Sequence, residues 1–145
     1  MRRLSNQLVA ALLAIGIPTF GAAGCGKATP TTPTTTTTTP ATSVTESFTG
    51  SVSINGAATF NFTATASGSV TATLRSIAPT TNAVLGLGLG VWNGTGCQVV
   101  LANDAATASV TVTGATTAAG KLCVRVYDVG KLTATQTVTV NVTHF

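Results

Sequence analysis

The sequence has 145 residues, enough for one domain, and combines 44% hydrophobic with only 7% charged residues. Without residues 1–24, which contain Arg2 and Arg3, the sequence has five Lys and Arg residues and three Asp and Glu residues. These charges are scattered along the sequence, whereas nucleic-acid binding needs a clustered basic face. The composition therefore excludes nucleic acid as a partner.

The first segment has the pattern of a secretion signal. Arg2 and Arg3 supply positive charge, and an apolar run, LVAALLAIGI, occupies residues 8–17. A helix that spans a bilayer needs about 20 apolar residues, so this run is too short and suits the core of a signal peptide. Pro18 ends the run and small residues follow it. We predict a signal peptide at residues 1–24.

The motif AAGC at residues 22–25 resembles the lipobox of bacterial lipoproteins, with Ala22 where Leu is the commoner residue. The resemblance implies that Cys25 carries a diacylglyceride, with acyl chains such as palmitate, and becomes the first residue of the mature protein. An ordinary secretory signal with an incidental cysteine is the alternative. We expect an anchor in the cell envelope, facing the periplasm or the exterior. Gly26 after Cys25 is compatible with the outer membrane if the host is Gram-negative.

A linker follows the cysteine. Residues 28–42 read ATPTTPTTTTTTPAT and contain no large apolar side chain. Such a segment cannot bury enough surface to offset the entropy lost on ordering. Proline favours extended polyproline II, in which these residues would reach roughly 45 Å. We predict that residues 25–42 are a lipidated cysteine and a Thr/Pro-rich spacer.

From residue 43 onward, apolar and polar residues alternate with the period of two that is typical of half-buried strands. The first strands place Phe48 and Val52, then Phe60 and Phe62, and then residues 70–74 on alternating faces. Asn55–Gly56 predicts a hairpin turn between the first two strands. Ser67–Ser69 predicts the next turn.

The middle of the domain reads VLGLGLGVW at residues 84–92, with Gly86, Gly88 and Gly90 on one face. Glycines in a strand indicate that another backbone or layer packs closely there. A phosphate-binding loop is the alternative, but no lysine and no helix follow. The sequence then predicts a turn at residues 93–96, a short strand at 99–101 and a loop, ANDA, at 102–105.

Three more alternating segments, at residues 109–113, 122–127 and 138–142, bring the total to about eight short strands. No segment of the domain has a helical period. We therefore predict an all-β fold for residues 43–145, an antiparallel β-sandwich of the jelly-roll type.

Three stretches, ATFNFTATASGSVTATL, WNGTGCQVVLANDA and GKLCVRVYDVG, resemble the bacterial pre-peptidase C-terminal (PPC) domain. The resemblance spans about residues 44–145. It implies a β-sandwich or jelly-roll module that accompanies secreted enzymes, is similar to collagen-binding domains and in some members binds calcium.

Catalytic residues are not predicted. The only histidine, His144, precedes the last residue of the sequence, and Glu46, Asp104 and Asp128 are far apart. A Ser–His–acid triad would have to recruit His144. We predict that the protein is not an enzyme. We also expect that replacing His144 with alanine leaves the domain folded and any ligand affinity unchanged.

Calcium is the one cofactor hypothesis. Asn93, Asn103, Asp104 and Asp128 lie in predicted loops and carry the oxygen ligands that Ca²⁺ prefers. The same residues are common in turns, because their side chains accept hydrogen bonds from nearby backbone groups. Turn chemistry is the stronger interpretation, and calcium binding is the alternative.

Two aromatic residues are candidates for ligand stacking. Trp92 and Tyr127 each offer a flat apolar ring with a polar group, which suits a sugar or a peptide. The alternative is packing, with Trp92 filling the space beside the glycines and Tyr127 capping a sheet edge. Arg125 is expected to be a solvated residue of the same sheet face.

The three cysteines complete the set of candidate sites. If Cys25 is acylated, Cys97 and Cys123 remain as a pair in an oxidising compartment, where a disulfide persists. We predict that adjacent strand ends bring their sulfur atoms together. Two buried free thiols are the alternative.

These features predict a non-catalytic lipoprotein of the cell envelope that displays a β-sandwich binding or adhesion module. Its partners would be the membrane, through the lipid anchor, and an extracellular polymer or another envelope protein. The alternative function is a structural envelope component with no dedicated ligand.

Overall fold

The structure, a computed structural model, describes residues 41–145. The predicted signal peptide, Cys25 and the predicted linker up to residue 40 lie outside the described residues. The described part contains eight strands and no helix, and therefore no helix that could cross a membrane. The strands are β1 (Val44–Val52), β2 (Ala57–Ala64), β3 (Gly68–Ala78), β4 (Leu85–Trp92), β5 (Cys97–Ala106), β6 (Thr111–Thr116), β7 (Gly120–Asp128) and β8 (Gln136–His144).

The strands form two four-stranded antiparallel sheets. Sheet A has the order β1-β8-β3-β6, and sheet B has the order β2-β7-β4-β5. The pairs β1–β8, β2–β7, β3–β6 and β4–β5 are nested, like one long hairpin rolled into two layers. This is the eight-stranded jelly roll, and it confirms the predicted fold class.

The alternating pattern places one face of each strand in the core between the sheets. In β8, Val138, Val140 and Val142 are completely buried, whereas Thr139 and Asn141 between them face outward. Burying a valine or leucine side chain is worth about 1.5–3 kcal/mol, so this face dominates the stability of the strand. The core contains Val52, Ala58, Phe62, Val70, Ala72, Leu74, Ile77, Leu85, Leu87, Leu89, Ala106, Val112, Val124, Val126, Leu132, Val138, Val140 and Val142.

The outer face of sheet A carries hydroxyl groups. Thr45, Thr143, Thr71 and Thr113 lie in one row across all four strands. Their side chains pair across neighbouring strands, with Oγ1 of Thr45 2.8 Å from Oγ1 of Thr143. Threonine thus serves as a β-branched strand residue with a solvent-facing hydroxyl, as its positions in the sequence predict.

The turn at Asn55–Gly56 is not a hairpin. The Gly56 N–H donates to the Ser53 carbonyl at 2.8 Å, and Asn55 has a φ of 56°, so the turn itself forms. However, β1 lies in sheet A and β2 lies in sheet B. The turn therefore carries the chain between layers, and the hairpin prediction is wrong because the partner of β1 is the distant β8.

The segment ANDA at residues 102–105 is part of a strand, so the loop prediction there is wrong. β5 continues to Ala106, and its register against β4 shifts twice, between Leu85 and Leu87 and between Leu89 and Gly90. Such bulges admit extra residues into a strand without ending it. β6, at Thr111–Thr116, also lies later than the predicted segment at residues 109–113.

Candidate functional site

Cys97 and Cys123 form a disulfide, with their Cα atoms 5.6 Å apart. This pairing is the one that the cysteine count predicts, but the two cysteines do not lie on adjacent strands as expected. Cys97 begins β5 and Cys123 lies within β7, and β4 separates these strands in sheet B. Strands separated by a third are normally about 9–10 Å apart. The start of β5 must therefore fold over β4.

Gly90 of β4 permits this crossing. It pairs with Cys123 of β7 on one side and with Val99 of β5 on the other. A Cβ atom at Gly90 would overlap the backbone of Gln98. The β5 backbone thus occupies the place of a side chain, which confirms the predicted close approach and rules out any residue larger than glycine without displacement of β5.

Gly86 receives a different neighbour, the ring of Tyr127. A Cβ atom at Gly86 would overlap this ring. The Tyr127 hydroxyl donates a hydrogen bond to Oδ1 of Asp104, and the Arg125 guanidinium lies 5.9 Å from the ring centroid. The hydrogen bond to the Asp104 carboxylate is the main cause that raises the pKa of Tyr127 above 10.0. Tyr127 is therefore a packed residue tied to β5.

Trp92 does not share a surface with Tyr127. Trp92 ends β4, whereas Tyr127 pairs with Gly86, six residues earlier on the same strand. Six residues of extended chain span about 20 Å. The two rings consequently form no joint stacking platform. The space beside the glycines is occupied by Tyr127 and by β5, and not by Trp92 as the packing alternative expected.

Asp128 organises the turn after β7. Its Oδ1 accepts backbone N–H groups of residues 130, 131 and 132 at 2.8–3.1 Å, and its Oδ2 accepts the Asn55 N–H at 2.8 Å. These hydrogen bonds, the one from Asn55 first, hold the pKa of Asp128 below 3.8. One carboxylate therefore joins the turn after β1 to the turn after β7, which is the turn role that the sequence favoured.

The side chains of Asn93 and Asn103 also accept hydrogen bonds from backbone groups two or three residues away. Oδ1 of Asn93 accepts the backbone N–H of Gly96 at 2.9 Å, and Oδ1 of Asn103 accepts that of Ala105 at 2.9 Å. Asp128 lies opposite Leu85, the first residue of β4, whereas Asn93 follows the last residue of β4. Asp128 and Asn93 are therefore roughly 27 Å apart along the strand. The four candidates therefore cannot ligate a single ion.

His144 is a core residue. It is 2% exposed, its Nε2 lies 2.8 Å from Oε1 of Glu46, and its ring centroid lies 4.9 Å from that of Phe62. Its position next to the end of the sequence gave no sign of this burial. That His144→Ala leaves the domain folded and any ligand affinity unchanged stays a prediction, to which the burial of the ring adds a loss of stability, because an alanine would leave a void against Phe62.

An apolar groove lies at the edge of the sandwich where β5 faces β6. It contains a cavity of about 240 Å³ that opens to solvent. Its lining has no charged side chain and consists of Phe62, Val70, Leu89, Gly90, Val91, Val100, Leu101, Gly114, Ala115, Thr116, Thr117 and Leu122. Both sheets contribute to it, β4 and β5 from sheet B and β3 and β6 from sheet A.

Exposed apolar side chains surround this groove. Within residues 41–145, three of the six large apolar side chains that are exposed line it. These are Val91, Val100 and Leu101, which are 47%, 71% and 42% exposed. Contiguous exposed apolar surface commonly marks a site of interaction. No sequence prediction pointed to this site, although the unbroken apolar run Val99–Leu101 departs from strict alternation.

β5 is an edge strand of sheet B, and among the described residues its backbone pairs only with β4. Natural edge strands are commonly protected by lysine, proline or a covering segment. Residues 97–103 contain no lysine, proline or charged residue. Within residues 41–145, the groove is therefore bordered by a strand edge that has none of these protections.

No family model matches the chain, and no curated protein matches it. Among solved structures, it is similar to PliG of Aeromonas hydrophila, a periplasmic inhibitor of g-type lysozyme. The two are 16% identical, and the match covers 69% of this chain and 84% of that chain with a TM-score of 0.47. A similarity of this size carries no argument about function.

Proposed function

We propose that the protein is a non-catalytic lipoprotein of the cell envelope that displays a jelly-roll binding module, with the apolar groove as its binding site. The observation that carries the proposal is the exposure of Val91, Val100 and Leu101 around an uncharged cavity. Leaving apolar surface in water costs about 25 cal/mol per Å² relative to burying it. A partner that covers these side chains would recover that free energy.

The envelope location rests on separate observations. The Cys97–Cys123 disulfide favours an oxidising compartment, where such a bridge persists. The signal-like leader and Cys25 in its lipobox-like motif support secretion and lipid anchoring. In this proposal the Thr/Pro-rich spacer holds the module away from the membrane. The PPC resemblance stays an expectation, and it agrees with an accessory, non-catalytic role.

The test compares two lysine variants of exposed valines. Val100→Lys places a charge at the groove, whereas Val44→Lys, the matched control, does so on edge strand β1 at a valine that is 47% exposed and does not line the groove. Residues 25–145 carrying Cys25→Ser would be applied to arrays of cell-wall polymers, matrix proteins and envelope proteins. We expect a ligand that Val100→Lys loses and Val44→Lys retains. If every bound component is equally sensitive to both variants, the groove is not the binding site.

A further inference from the structure

We infer that the groove binds an extended, uncharged polypeptide segment, which adds to the free edge of β5 as a fifth strand of sheet B. This inference rests on the proposed binding function and names the chemical class of the partner. It combines two features that meet at β5, the free backbone edge and the apolar cavity beside it.

The backbone edge provides the first half of the interaction. Gln98, Val99, Val100, Leu101 and Ala102 are all exposed, and β4 covers only one side of their strand. In the described residues, no backbone hydrogen bond outside the β4 pairing involves any of these five residues. An incoming strand can pair with free N–H and C=O groups of this kind, a mode of recognition that edge strands support.

The cavity provides the second half. A cavity of about 150 Å³ lined by apolar side chains holds a molecule the size of benzene. The cavity beside β5, of about 240 Å³, therefore has room for a bulky side chain of the added strand. The side chain of Leu101 extends across the cavity toward β6. Its Cδ1 lies so near Gly114 that a Cβ atom added there would be 2.8 Å away. A side chain entering the cavity would contact both sheets.

The absence of charge in the lining selects the partner's chemistry. A charged side chain placed there would lose its hydration and find no counter-charge. A polysaccharide is also a poor fit. The polar side chains that line the cavity are the hydroxyls of Thr116 and Thr117, and its one aromatic ring, Phe62, is 4% exposed. Backbone pairing with apolar side chains at alternate positions satisfies both the edge and the cavity.

The experiment uses a capped peptide of about seven alternating valine and threonine residues, the length of an ordinary strand. Its affinity for residues 25–145 carrying Cys25→Ser would be measured by calorimetry. Two further peptides carry backbone N-methyl groups at either the odd or the even positions. Each pattern removes the N–H donors from one edge of the peptide only. We expect one pattern to weaken binding about tenfold or more and the other to leave it nearly unchanged.

Protein variants locate the binding. Val100→Lys should weaken the peptide about tenfold or more, and Val44→Lys should not. Gly114→Val should fill the cavity and weaken the peptide, whereas Gly120→Val is the control at a glycine with open space around it. Thermal unfolding of each variant would confirm that it is folded. Val100 is 71% exposed, so Val100→Lys remains informative if Gly114→Val does not fold.

Three results would overturn the inference. The first is equal binding by both N-methylated peptides, which would mean that the edge is not used. The second is self-association of the wild-type protein that Val100→Lys abolishes, which would assign the edge to a second copy. The third is binding of a polymer, and not of the peptide, that depends on Val100. That last result would leave the proposed binding function standing while removing the polypeptide partner.

Discussion

At the scale of single residues, His144 shows how a polar side chain becomes part of the core. Its ring packs on Phe62, and its Nε2 pairs with Glu46, which is 44% exposed. We expect His144→Ala to lower the free energy of unfolding by about 1–3 kcal/mol, because it leaves a cavity and removes a buried hydrogen bond. Urea denaturation of the purified domain measures this change.

Glu46→Ala is the matched control for that prediction. It removes the same hydrogen bond but keeps the ring of His144 beside Phe62, and a typical hydrogen bond contributes about 0.5–1.5 kcal/mol. The loss should therefore be smaller than for His144→Ala. Equal losses in the two variants would show that the pair, and not the packing of the ring on Phe62, holds this end of β8 in place.

Asp128 makes the stability of the folded domain depend on pH in the acidic range. Its pKa is lowered in the folded protein, chiefly by the Asn55 N–H, so the unfolded chain takes up this proton more readily. The stability that Asp128 provides is therefore complete above its ordinary value of 3.8, and it is lost as the pH falls through the lower folded value. Asp128→Asn should be less stable at neutral pH and should lose less stability on acidification.

Thermal unfolding between neutral pH and the acid limit of solubility tests the Asp128 prediction. The wild-type curve should fall toward that of Asp128→Asn as the carboxylate is protonated. Parallel curves at all pH values would mean that Asp128 stabilises the turn through hydrogen-bond geometry alone, without a contribution from its charge.

At the scale of the strands, the disulfide holds β5 onto β7 across β4. The bridge closes a segment with a sequence separation of 26. The chain-entropy treatment gives about 3–4 kcal/mol for a loop of this size. The double variant Cys97→Ser and Cys123→Ser should lose roughly that much unfolding free energy in urea. An unchanged midpoint would show that the edge strand is held by its pairing with β4 alone.

Gly90 is the second requirement for this arrangement. In Gly90→Ala the new methyl group meets the backbone of Gln98, which cannot move aside as a side chain can. We expect a loss of about 1–3 kcal/mol or more. Gly120→Ala, where the added group meets no neighbour, should change the stability far less. Non-reducing peptide mapping of Gly90→Ala would show whether β5 still reaches Cys123.

At the scale of the whole molecule, anchoring and folding should be separable. Among the described residues, the hydrophobic core runs from Val52 to Val142, and Cys25 lies outside those residues. We expect an acylated species that begins at Cys25, detected by intact mass and by partition into detergent. Cys25→Ser should lose the anchor and keep the unfolding midpoint. A soluble wild-type protein with a free thiol at Cys25 would contradict the lipoprotein hypothesis.

Much of the architecture could be read from local patterns. Alternation predicted which side chains face the core, as Val138, Val140 and Val142 show, because a strand sends successive side chains to opposite faces. The count of cysteines predicted the Cys97–Cys123 pair, and the glycines of β4 predicted a close neighbour. These properties depend on residue type and spacing, which the sequence states directly.

The partners of the strands were decided only by the tertiary structure. Asn55–Gly56 makes a sound turn, yet whether such a turn closes a hairpin or joins two layers depends on β8, more than eighty residues away. The burial of His144, the passage of β5 over Gly90 and the groove beside Val100 have the same origin. Each arises where elements remote in sequence meet, and the free energy of those contacts is not encoded in any local pattern.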